Sequence, residues 1–295
     1  MIGKLEMLLA LAKEEHFGRA AETLGITQPT LSTGLKQLEA QLGVKLVQRG
    51  SRFGGLTPEG QRALEWARKI VGDTRHLRQE MRYSKEGLSG HLRLAVIPTA
   101  LTWAARLAGR FEAEHPNVSF SILSRSSSDI LHLIDNLDAD AGITYLDNEP
   151  LSRVSTVGMY RENYVLVCRK THDLAARESL RWCDLGGLRM CLLTPDMQNR
   201  RIINRNLSDA GMAPDAMIES NSTIVLANQV VESDVVTILP RDLARFLAAG
   251  HDLAVVEISG GGLVPEVGLV AMHQEPYTPV LRELMKTARL VAEKG

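Results

Sequence analysis

Residues 16–43 of the chain read HFGRAAETLGITQPTLSTGLKQLEAQLG, and this stretch decides the fold of the N-terminal part. Gly25 follows a short helical segment, at the position where glycine commonly ends a helix. Thr27 and Pro29 begin a new helix, because threonine caps a helix N-terminus and proline is tolerated in the first turn. Gly43 ends that helix as Gly25 ended the one before it. Two helices joined by so short a turn predict a helix-turn-helix.

Three helices are therefore expected in the first part of the chain. Apolar residues between Leu5 and Ala12 recur at helical spacing and predict the first helix. Gly18 stands at a tolerated N-cap position before the second helix, residues 19–24. The third helix covers residues 28–42, with leucines on one face and polar side chains on the other. In a helix-turn-helix this last helix enters the major groove of DNA.

Two short strands follow and enclose a basic loop. Residues 44–47 and 55–57 predict the strands, and residues 48–52 form a loop suited to phosphate or minor-groove contact, so that together they predict a wing. On the third helix, Gln28 can bridge an adenine, while threonine can contact a phosphate or a thymine methyl. Each side chain alone is equally consistent with a solvated surface, but the ordered series favours DNA binding. The candidate DNA-binding residues are Arg19, Gln28, Pro29, Thr30, Ser32, Thr33, Lys36, Arg49 and Arg52.

The order and spacing of these motifs resemble the LysR-type transcriptional regulator family. The matching motifs are HFGRAA at 16–21, QPTLS at 28–32, LE at 38–39, LG at 42–43, Arg49 and LTPEG at 56–60. Val47 stands where the family usually has phenylalanine, and Gly18 where it usually has serine or threonine; both changes are structurally conservative. The resemblance implies a homo-oligomer, built as a dimer of dimers, that binds double-stranded promoter DNA of dyad symmetry. It also implies a small-molecule effector and RNA polymerase as partners.

A long helix is predicted over residues 58–87. Thr57 is its cap, Pro58 occupies its first turn, and no helix breaker follows before Gly87. Apolar and small side chains recur along it at spacings of four and three, as in a coiled-coil seam: Ala63, Ala67, Ile70, Thr74, Leu77 and Met81. Such a face either packs on its own domain or joins two copies. The resemblance favours dimerisation, with the contacts Ala63, Ile70, Leu77 and Met81.

Residues 88–295 predict an α/β domain of two units. The first unit has strands at 91–97, 118–123 and 139–145 and helices at 101–114 and 130–137. Such βαβαβ order predicts a parallel sheet with helices on its faces. The second unit has strands at 164–168, 189–193, 217–220 and 235–239 and helices at 199–210 and 223–232. Crossings between the units are expected near Arg161 and Pro265, with strand 267–272 returning to the first unit before a last helix at 278–292.

This arrangement resembles the periplasmic-binding-protein-like sensor of the same family. The predicted fold class is therefore α/β: a winged helix-turn-helix (1–60), a long linker helix (58–87), and a two-subdomain periplasmic-binding-protein-like effector domain (88–295).

Ligands of such folds bind outside the carboxyl ends of the strands, between the two halves. Hydroxyl and amide side chains follow the predicted strands there, and Arg125 adds a positive charge. Each hydroxyl could equally be a plain helix cap. The candidate effector-binding residues are Thr99, Arg125, Ser126, Ser127, Thr194, Asn221 and Thr223. The resemblance favours Thr99 and Ser127, and the expected effector is a small organic anion, for example a carboxylate such as formate.

Charge and composition limit the partners. The net charge is −1, yet residues 1–86 carry a net +4 and the remainder −5, so only the first part is expected to meet a polyanion. Charged residues near the N-terminus and the lack of a long apolar stretch favour a cytoplasmic protein without a membrane partner. Phosphate loops, metal-ligand clusters and nucleophile elbows are not found, so neither an enzyme nor a cofactor or metal is expected.

Three other functions remain open from the sequence. A thiol redox sensor of the same fold is one, since Cys183 and Cys191 are eight residues apart, although Cys168 and Cys191 fall in predicted buried strands. A solute-binding module is the second, and a triad enzyme, towards which no motif points, is the third.

Overall fold

The computed structural model describes the following residues of the chain: 1–49, 53–147, 154–213, 215–273 and 275–293. They form two compact units, the first made mainly of residues 1–87 and the second mainly of residues 88–295. None of the helices in this described part combines the length and the apolar character that a membrane span requires.

Three helices pack around one core in the first unit: α1 (Ile2–Glu14), α2 (Phe17–Thr23) and α3 (Gln28–Leu42). Leu8 and Leu11 of α1 are fully buried against Leu31, Leu35 and Leu38 of α3. The helix-turn-helix is confirmed, and so are the bounds of its third helix.

The ends of α3 are capped by the neighbouring residues that the sequence predicted, whereas the cap of α2 differs from the prediction. Thr27 Oγ1 accepts a hydrogen bond from the Thr30 amide at 3.4 Å, and Gly43 ends α3 with a φ of 72°. The prediction of Gly18 as the cap of α2 is wrong. His16 Nδ1 accepts hydrogen bonds from the amides of Gly18 and Arg19, so the helix begins one residue before Gly18.

The wing consists of two antiparallel strands, β1 (Val47–Arg49) and β2 (Phe53–Leu56). The predicted strand at 44–47 starts too early. The buried Glu39 carboxylate accepts hydrogen bonds from the amides of Leu46 (3.0 Å) and Val47 (3.3 Å), so a side chain holds the backbone up to Val47, where the strand begins. Arg52, in the predicted basic loop, lies outside the described residues.

The linker helix α4 (Pro58–Glu86) follows the wing and ends where Gly87 takes a positive φ of 75°. Thr57 caps it, since its Oγ1 accepts a hydrogen bond from the Gly60 amide at 2.9 Å. Leu64, Ala67 and Val71 of α4 are buried in the same core as the three shorter helices. The start and end of this helix therefore agree with the prediction.

The second unit alternates strands and helices. In chain order its elements are β3 (Gly90–Val96), α5 (Leu101–Glu114), β4 (Val118–Ser124), α6 (Ser127–Asp135), β5 (Ala141–Tyr145), β6 (Val154–Arg161), β7 (Tyr164–Arg169), β8 (Ser179–Arg181), β9 (Cys191–Leu193), α7 (Gln198–Asp209), β10 (Ile218–Ser220), α8 (Thr223–Glu232), β11 (Thr237–Pro240), α9 (Arg241–Ala248), β12 (Leu253–Ser259), β13 (Glu266–Met272) and α10 (Pro279–Ala292).

Two subdomains result from the strand pairing. The first has a five-stranded sheet of order β4-β3-β5-β13-β6, in which β3 runs parallel to β4 and β5, and β13 runs antiparallel to β5 and β6. The second has a sheet of order β11-β7-β12-β8 and the parallel pair β9 and β10. The return of β13 to the first sheet is confirmed, whereas β6, β8, α9 and β12 were not predicted.

The chain crosses between the subdomains at the two expected places. One crossing is the short segment between β6 and β7, and the other precedes β13. The two crossings contact each other, because the Glu162 amide donates a hydrogen bond to the Pro265 carbonyl at 3.0 Å. The predicted fold class is confirmed.

Candidate effector cavity and DNA-reading helix

A small cavity lies in the second unit, between its two subdomains. It encloses about 190 Å³ of empty space, including its open mouth. Its polar and flexible lining residues are Thr99, Ser127 and Tyr145 from the first subdomain and Met197, Gln198 and Asn199 from the second. The cavity is therefore small.

Each polar lining residue is placed by the end of a strand or the start of a helix. Thr99 lies in the 3-10 turn after β3, and Tyr145 ends β5. Ser127 is the first residue of α6, and Gln198 and Asn199 are the first two of α7. Amides in the first turn of a helix have no intrahelical acceptor and lie at the positive end of its dipole. Two helix N-termini therefore border one cavity.

Two of the lining side chains are buried without a hydrogen-bond partner. Ser127 is 1% exposed and its Oγ is unpaired; Asn199 is 3% exposed and neither its Oδ1 nor its Nδ2 is paired. Asn199 does lie near enough to the Tyr145 hydroxyl to lower the pKa of that tyrosine. Buried polar atoms without partners cost free energy, and such atoms in native proteins usually meet a ligand or water. The cavity can therefore bind a polar ligand.

A buried carboxylate lies beside the cavity. Glu162 Oε2 accepts hydrogen bonds from the hydroxyls of Tyr145 (2.8 Å) and Tyr164 (3.0 Å), and its Oε1 from that of Tyr160 (3.5 Å). Burial raises the pKa of Glu162 above its ordinary value of 4.5, while hydrogen bonds from the tyrosines and Thr99 oppose that rise. Burial also raises the pKa values of the three tyrosines, so their hydroxyls keep their protons and act as donors.

The structure changes the roles predicted for three hydroxyl side chains. Ser126 caps α6, because its Oγ accepts a hydrogen bond from the Asp129 amide at 3.2 Å. Ser127 is not a cap and lines the cavity instead. The prediction that Thr99 caps a helix is wrong: α5 begins at Leu101 without a side-chain cap, and the Thr99 hydroxyl lies 3.4 Å from that of Tyr145.

The other candidate effector residues lie outside the cavity lining. Arg125 is exposed and its guanidinium donates to the Ser124 carbonyl at 2.7 Å, so the positive charge expected from it is not in the cavity. Asn221 is exposed, and Thr223 is buried as the first residue of α8. Thr194 follows β9 and is half-buried, with an unpaired Oγ1.

The sequence interpretation missed Tyr145, Gln198 and Asn199. The last two open α7, the helix that follows β9 after a loop of four residues, so the rule that selected Ser127 would also have selected them. Gln198 is held by Arg201, whose guanidinium donates to Gln198 Oε1 and to the Asp196 carbonyl. Because its oxygen is occupied, Gln198 has only its amide nitrogen left to offer a ligand.

In the first unit, α3 carries a row of exposed polar side chains. Gln28, Pro29, Thr30, Thr33 and Lys36 are exposed, whereas Ser32 is half-buried. Gln28, Ser32 and Lys36 are four residues apart and so share one helix face.

Two arginines flank this row in the chain. Arg19 is exposed but donates to the Glu14 carbonyl at 2.6 Å. Arg49 ends β1.

The predicted seam of α4 divides into two parts. Ala67 is fully buried in the core of its own unit, and Ala63 packs against that core. Ile70, Leu77 and Met81 are exposed, and so is Trp66 at 64%, which the sequence interpretation missed. The first part of the seam therefore stabilises its own unit, and the second is an unpaired apolar row.

The three cysteines differ in burial. Cys168 and Cys191 are buried in β7 and β9, and burial raises the pKa of each thiol to about 11. Cys183 is exposed. In the part of the chain that the structure describes, no three His, Cys, Asp or Glu side chains cluster as metal ligands would.

Comparison with known proteins covers both units. Residues 2–61 match the bacterial regulatory helix-turn-helix protein, lysR family, and residues 85–292 match the LysR substrate binding domain. The SDS degradation transcriptional activation protein of Pseudomonas sp. (strain ATCC 19151) is 30% identical over 290 residues, which are 94% of this chain and 91% of that protein.

Two further relatives come from Escherichia coli (strain K12). The transcriptional regulator YbhD is 30% identical over 209 residues, which are 70% of this chain and 66% of YbhD. The transcriptional dual regulator OxyR is 28% identical over 240 residues, which are 81% of this chain and 78% of OxyR.

Solved structures share the fold. A full-length OxyR variant from Pseudomonas aeruginosa has a TM-score of 0.76 at 24% identity and covers 98% of this chain and 95% of its own. Full-length CbnR in complex with its target DNA has a TM-score of 0.64 at 18% identity, with 99% of each chain covered. Since the substrate-binding-domain match alone spans more than half of its residues, the chain belongs to the LysR family of bacterial transcriptional regulators and is an effector-responsive DNA-binding protein rather than an enzyme.

Proposed function

We propose that the protein binds promoter DNA of dyad symmetry through α3 and the wing, and that a small organic anion in the cavity of the second unit controls this binding. The observation that carries the anion is the pair of unpaired buried side chains, Ser127 and Asn199, at the starts of α6 and α7. Helix N-termini favour anions through free amides and the helix dipole. The Gln198 amide nitrogen adds a donor.

The volume of the cavity limits the size of the effector. The cavity is small, so we propose a carboxylate of few atoms, such as formate, acetate or glycolate, rather than a sugar or a nucleotide. No cationic side chain is among the residues that line the cavity, so the anion would be held by hydrogen bonds and helix dipoles. Effector control requires that the anion bind two states of the protein with different affinity.

Calorimetry on the full-length protein tests this proposal with a panel of carboxylates from formate to glycolate. Ser127→Ala and Asn199→Ala each remove a donor and should weaken binding about 10- to 100-fold, since a hydrogen bond to a charged group contributes about 1.5–3 kcal/mol. Asn221→Ala is the matched control, because Asn221 is exposed and outside the lining. Binding that survives in both cavity variants, or that falls equally in the control, would place the effector elsewhere.

The DNA-binding candidates are the exposed row of α3, with Arg19, Arg49 and Arg52 as flanking phosphate contacts. We propose residues 1–60 as the DNA-binding domain, 58–87 as the dimerisation helix and 88–295 as the effector domain. A regulator that contacts promoter DNA and RNA polymerase works in the cytoplasm, which is where we place this protein.

The oligomer proposed is a dimer of dimers, with Ile70, Leu77 and Met81 of α4 in the first contact. Their exposure is the supporting observation, since an apolar row on a helix is normally covered. Ile70→Asp combined with Leu77→Asp would bury unpaired charge in that contact and should halve the mass or reduce it further. Light scattering measures the mass, and a double variant of unchanged mass would remove α4 from the interface.

A thiol redox sensor is the alternative function, because relatives of similar identity are hydrogen peroxide-inducible genes activators. The raised pKa values of Cys168 and Cys191 argue against it, since the thiolate is the reactive form. Exposed Cys183 is then the thiol to test. Mass spectrometry after mild peroxide treatment should find oxidation confined to Cys183, with DNA affinity unchanged in Cys183→Ser.

A further inference from the structure

The hydrogen bonds around Glu162 have a defined direction. A carboxylate only accepts, and each tyrosine hydroxyl has a single proton to give. The proton of Tyr145 lies in its 2.8 Å bond to Glu162 Oε2. Tyr164 donates to the same oxygen and Tyr160 to the other. Among the described residues, therefore, tyrosine protons converge on Glu162 from β5, β6 and β7.

The direction of these hydrogen bonds also determines what Thr99, a residue of the cavity lining, can offer. The Thr99 hydroxyl oxygen lies 3.4 Å from the Tyr145 oxygen, whose own proton is already used. In that contact Thr99 must therefore be the donor, and the Thr99 hydroxyl also acts on the Glu162 carboxylate directly. Either way the proton of Thr99 points towards Glu162. Thr99 is 2% exposed and lines the cavity, and because its proton is committed, an oxygen lone pair is all that its hydroxyl has left for a ligand there.

The two ends of the cavity consequently differ in chemistry. Towards the starts of α6 and α7, the first-turn amides and the Gln198 amide nitrogen are donors, and the Ser127 hydroxyl can donate as well. At Thr99 the cavity offers an acceptor. An anion that only accepts hydrogen bonds would satisfy the first end and leave the Thr99 lone pair facing another oxygen.

We propose that Glu162 sets the hydrogen-bond polarity of the cavity through Tyr145 and Thr99, and that the effector is therefore a small carboxylate with a hydroxyl or amino donor at its other end. This inference rests on the proposed anion site. Glu162 does not touch the ligand; it is a positioning residue that determines which ligands fit.

Acetate and glycolate are suitable probes, because they differ by one hydroxyl group. Calorimetry on the full-length protein should find glycolate bound about tenfold more tightly than acetate, the fold-change expected for one buried hydrogen bond. Glu162→Leu removes the acceptor while keeping the volume. Tyr145 then donates to Thr99, whose own proton faces the cavity, so the preference for glycolate should vanish or reverse.

Controls separate this effect from general damage. Glu178→Leu makes the same substitution at an exposed position of the same unit and should keep the preference. Where Glu162→Leu does not fold, Thr99→Val serves, because it removes the hydroxyl, and with it the lone pair, at similar volume and should bring glycolate down to the affinity of acetate. Equal affinities of the two acids for the wild-type protein would overturn the inference, and so would an unchanged preference in Glu162→Leu or Thr99→Val.

An infrared measurement keeps the inference separate from the anion site. Ring-labelled tyrosine, with Tyr145→Phe to identify the band, should show that the Tyr145 hydroxyl donates to a carboxylate in the wild-type protein without ligand. If neither acid binds, the anion site fails, and a Tyr145 band typical of an accepting hydroxyl would then overturn the role of Glu162 as well.

Discussion

The two units of this regulator use polar side chains in opposite ways. On α3 of the first unit, Gln28, Thr33 and Lys36 are exposed to solvent and are therefore accessible to a binding partner. In the cavity of the second unit, Ser127 and Asn199 are almost fully buried and remain unpaired. An exposed polar group costs nothing while water serves it, whereas a buried one costs free energy until a ligand arrives. The first arrangement suits a large surface such as DNA, and the second suits selection of one small molecule.

A polar side chain can also be buried and hydrogen-bonded within the protein, and Glu39 in the first unit is an example. Its carboxylate holds the amides of Leu46 and Val47 and pairs with Lys45 Nζ at 3.5 Å. Glu39→Ala would leave two buried amides unsatisfied, so we expect a loss of about 3 kcal/mol and a wing that no longer forms. Hydrogen exchange at the Leu46 and Val47 amides measures it, with exposed Glu22→Ala as control. Unchanged protection in Glu39→Ala would show that the wing does not depend on this carboxylate.

The next largest effect is expected at Gly60, where α4 passes the chain before the wing. A Cβ at Gly60 would overlap the backbone carbonyl oxygen of Leu46, which cannot move away as a side chain does. Gly60→Ala should therefore destabilise the first unit by about 2 kcal/mol, although alanine is the better helix former. Gly3→Ala is the matched control, because a Cβ there meets no atom within 4 Å. Thermal unfolding followed by circular dichroism should give a lower Tm for Gly60→Ala alone; equal Tm values would contradict the close approach.

A smaller, pH-dependent effect is expected in the second unit. Burial raises the pKa of Glu162 above 4.5, so the folded state binds this proton more tightly than the unfolded state does, and the resulting contribution to stability is lost as the pH rises through the raised pKa. Glu162→Gln does not titrate. Its stability relative to the wild-type protein should therefore improve as the pH rises from 4.5 through the raised pKa, by about 1.4 kcal/mol for each unit of pKa elevation.

Urea unfolding followed by the fluorescence of Trp103 and Trp182, which both lie in this unit, measures the difference. Glu178→Gln, at an exposed position, should show no such trend. A variant that loses stability relative to the wild-type protein as the pH rises would mean that folding lowers the pKa of Glu162 instead of raising it.

The same contrast explains what the sequence could predict. Helix ends depend on neighbouring residues, so Thr27, Gly43 and Thr57 fixed the bounds of α3 and α4 correctly. The start of β1 depends on Glu39, whose carboxylate reaches amides seven and eight residues away, and no local pattern reveals that. The cavity depends on distant segments as well. Thr99 looked like a helix cap, but its partner Tyr145 is 46 residues further along the chain.

The positions of the charged side chains were the feature of the site that the sequence predicted least well. Arg125 follows the end of β4, beside the cavity-lining residue Ser127. A long exposed side chain, however, tends to extend into solvent or to bond a nearby carbonyl, and the Arg125 guanidinium donates to the Ser124 carbonyl. The titratable group beside the cavity is instead Glu162, in the short crossing between β6 and β7. Its role follows from three tyrosines that only the folded chain brings together.

In the function proposed above, the exposed row of α3 selects DNA and the buried pair of the cavity selects the effector. This proposal is tested most directly by measuring two variants of the full-length protein, Gln28→Ala and Asn199→Ala, in both assays: mobility shift with promoter DNA and calorimetry with glycolate. We expect Gln28→Ala to lose about 1–3 kcal/mol of base preference at one step of each half-site and to bind glycolate normally. Asn199→Ala should lose glycolate affinity and keep the base preference. The reverse pattern, or two variants impaired in both assays alike, would contradict the account.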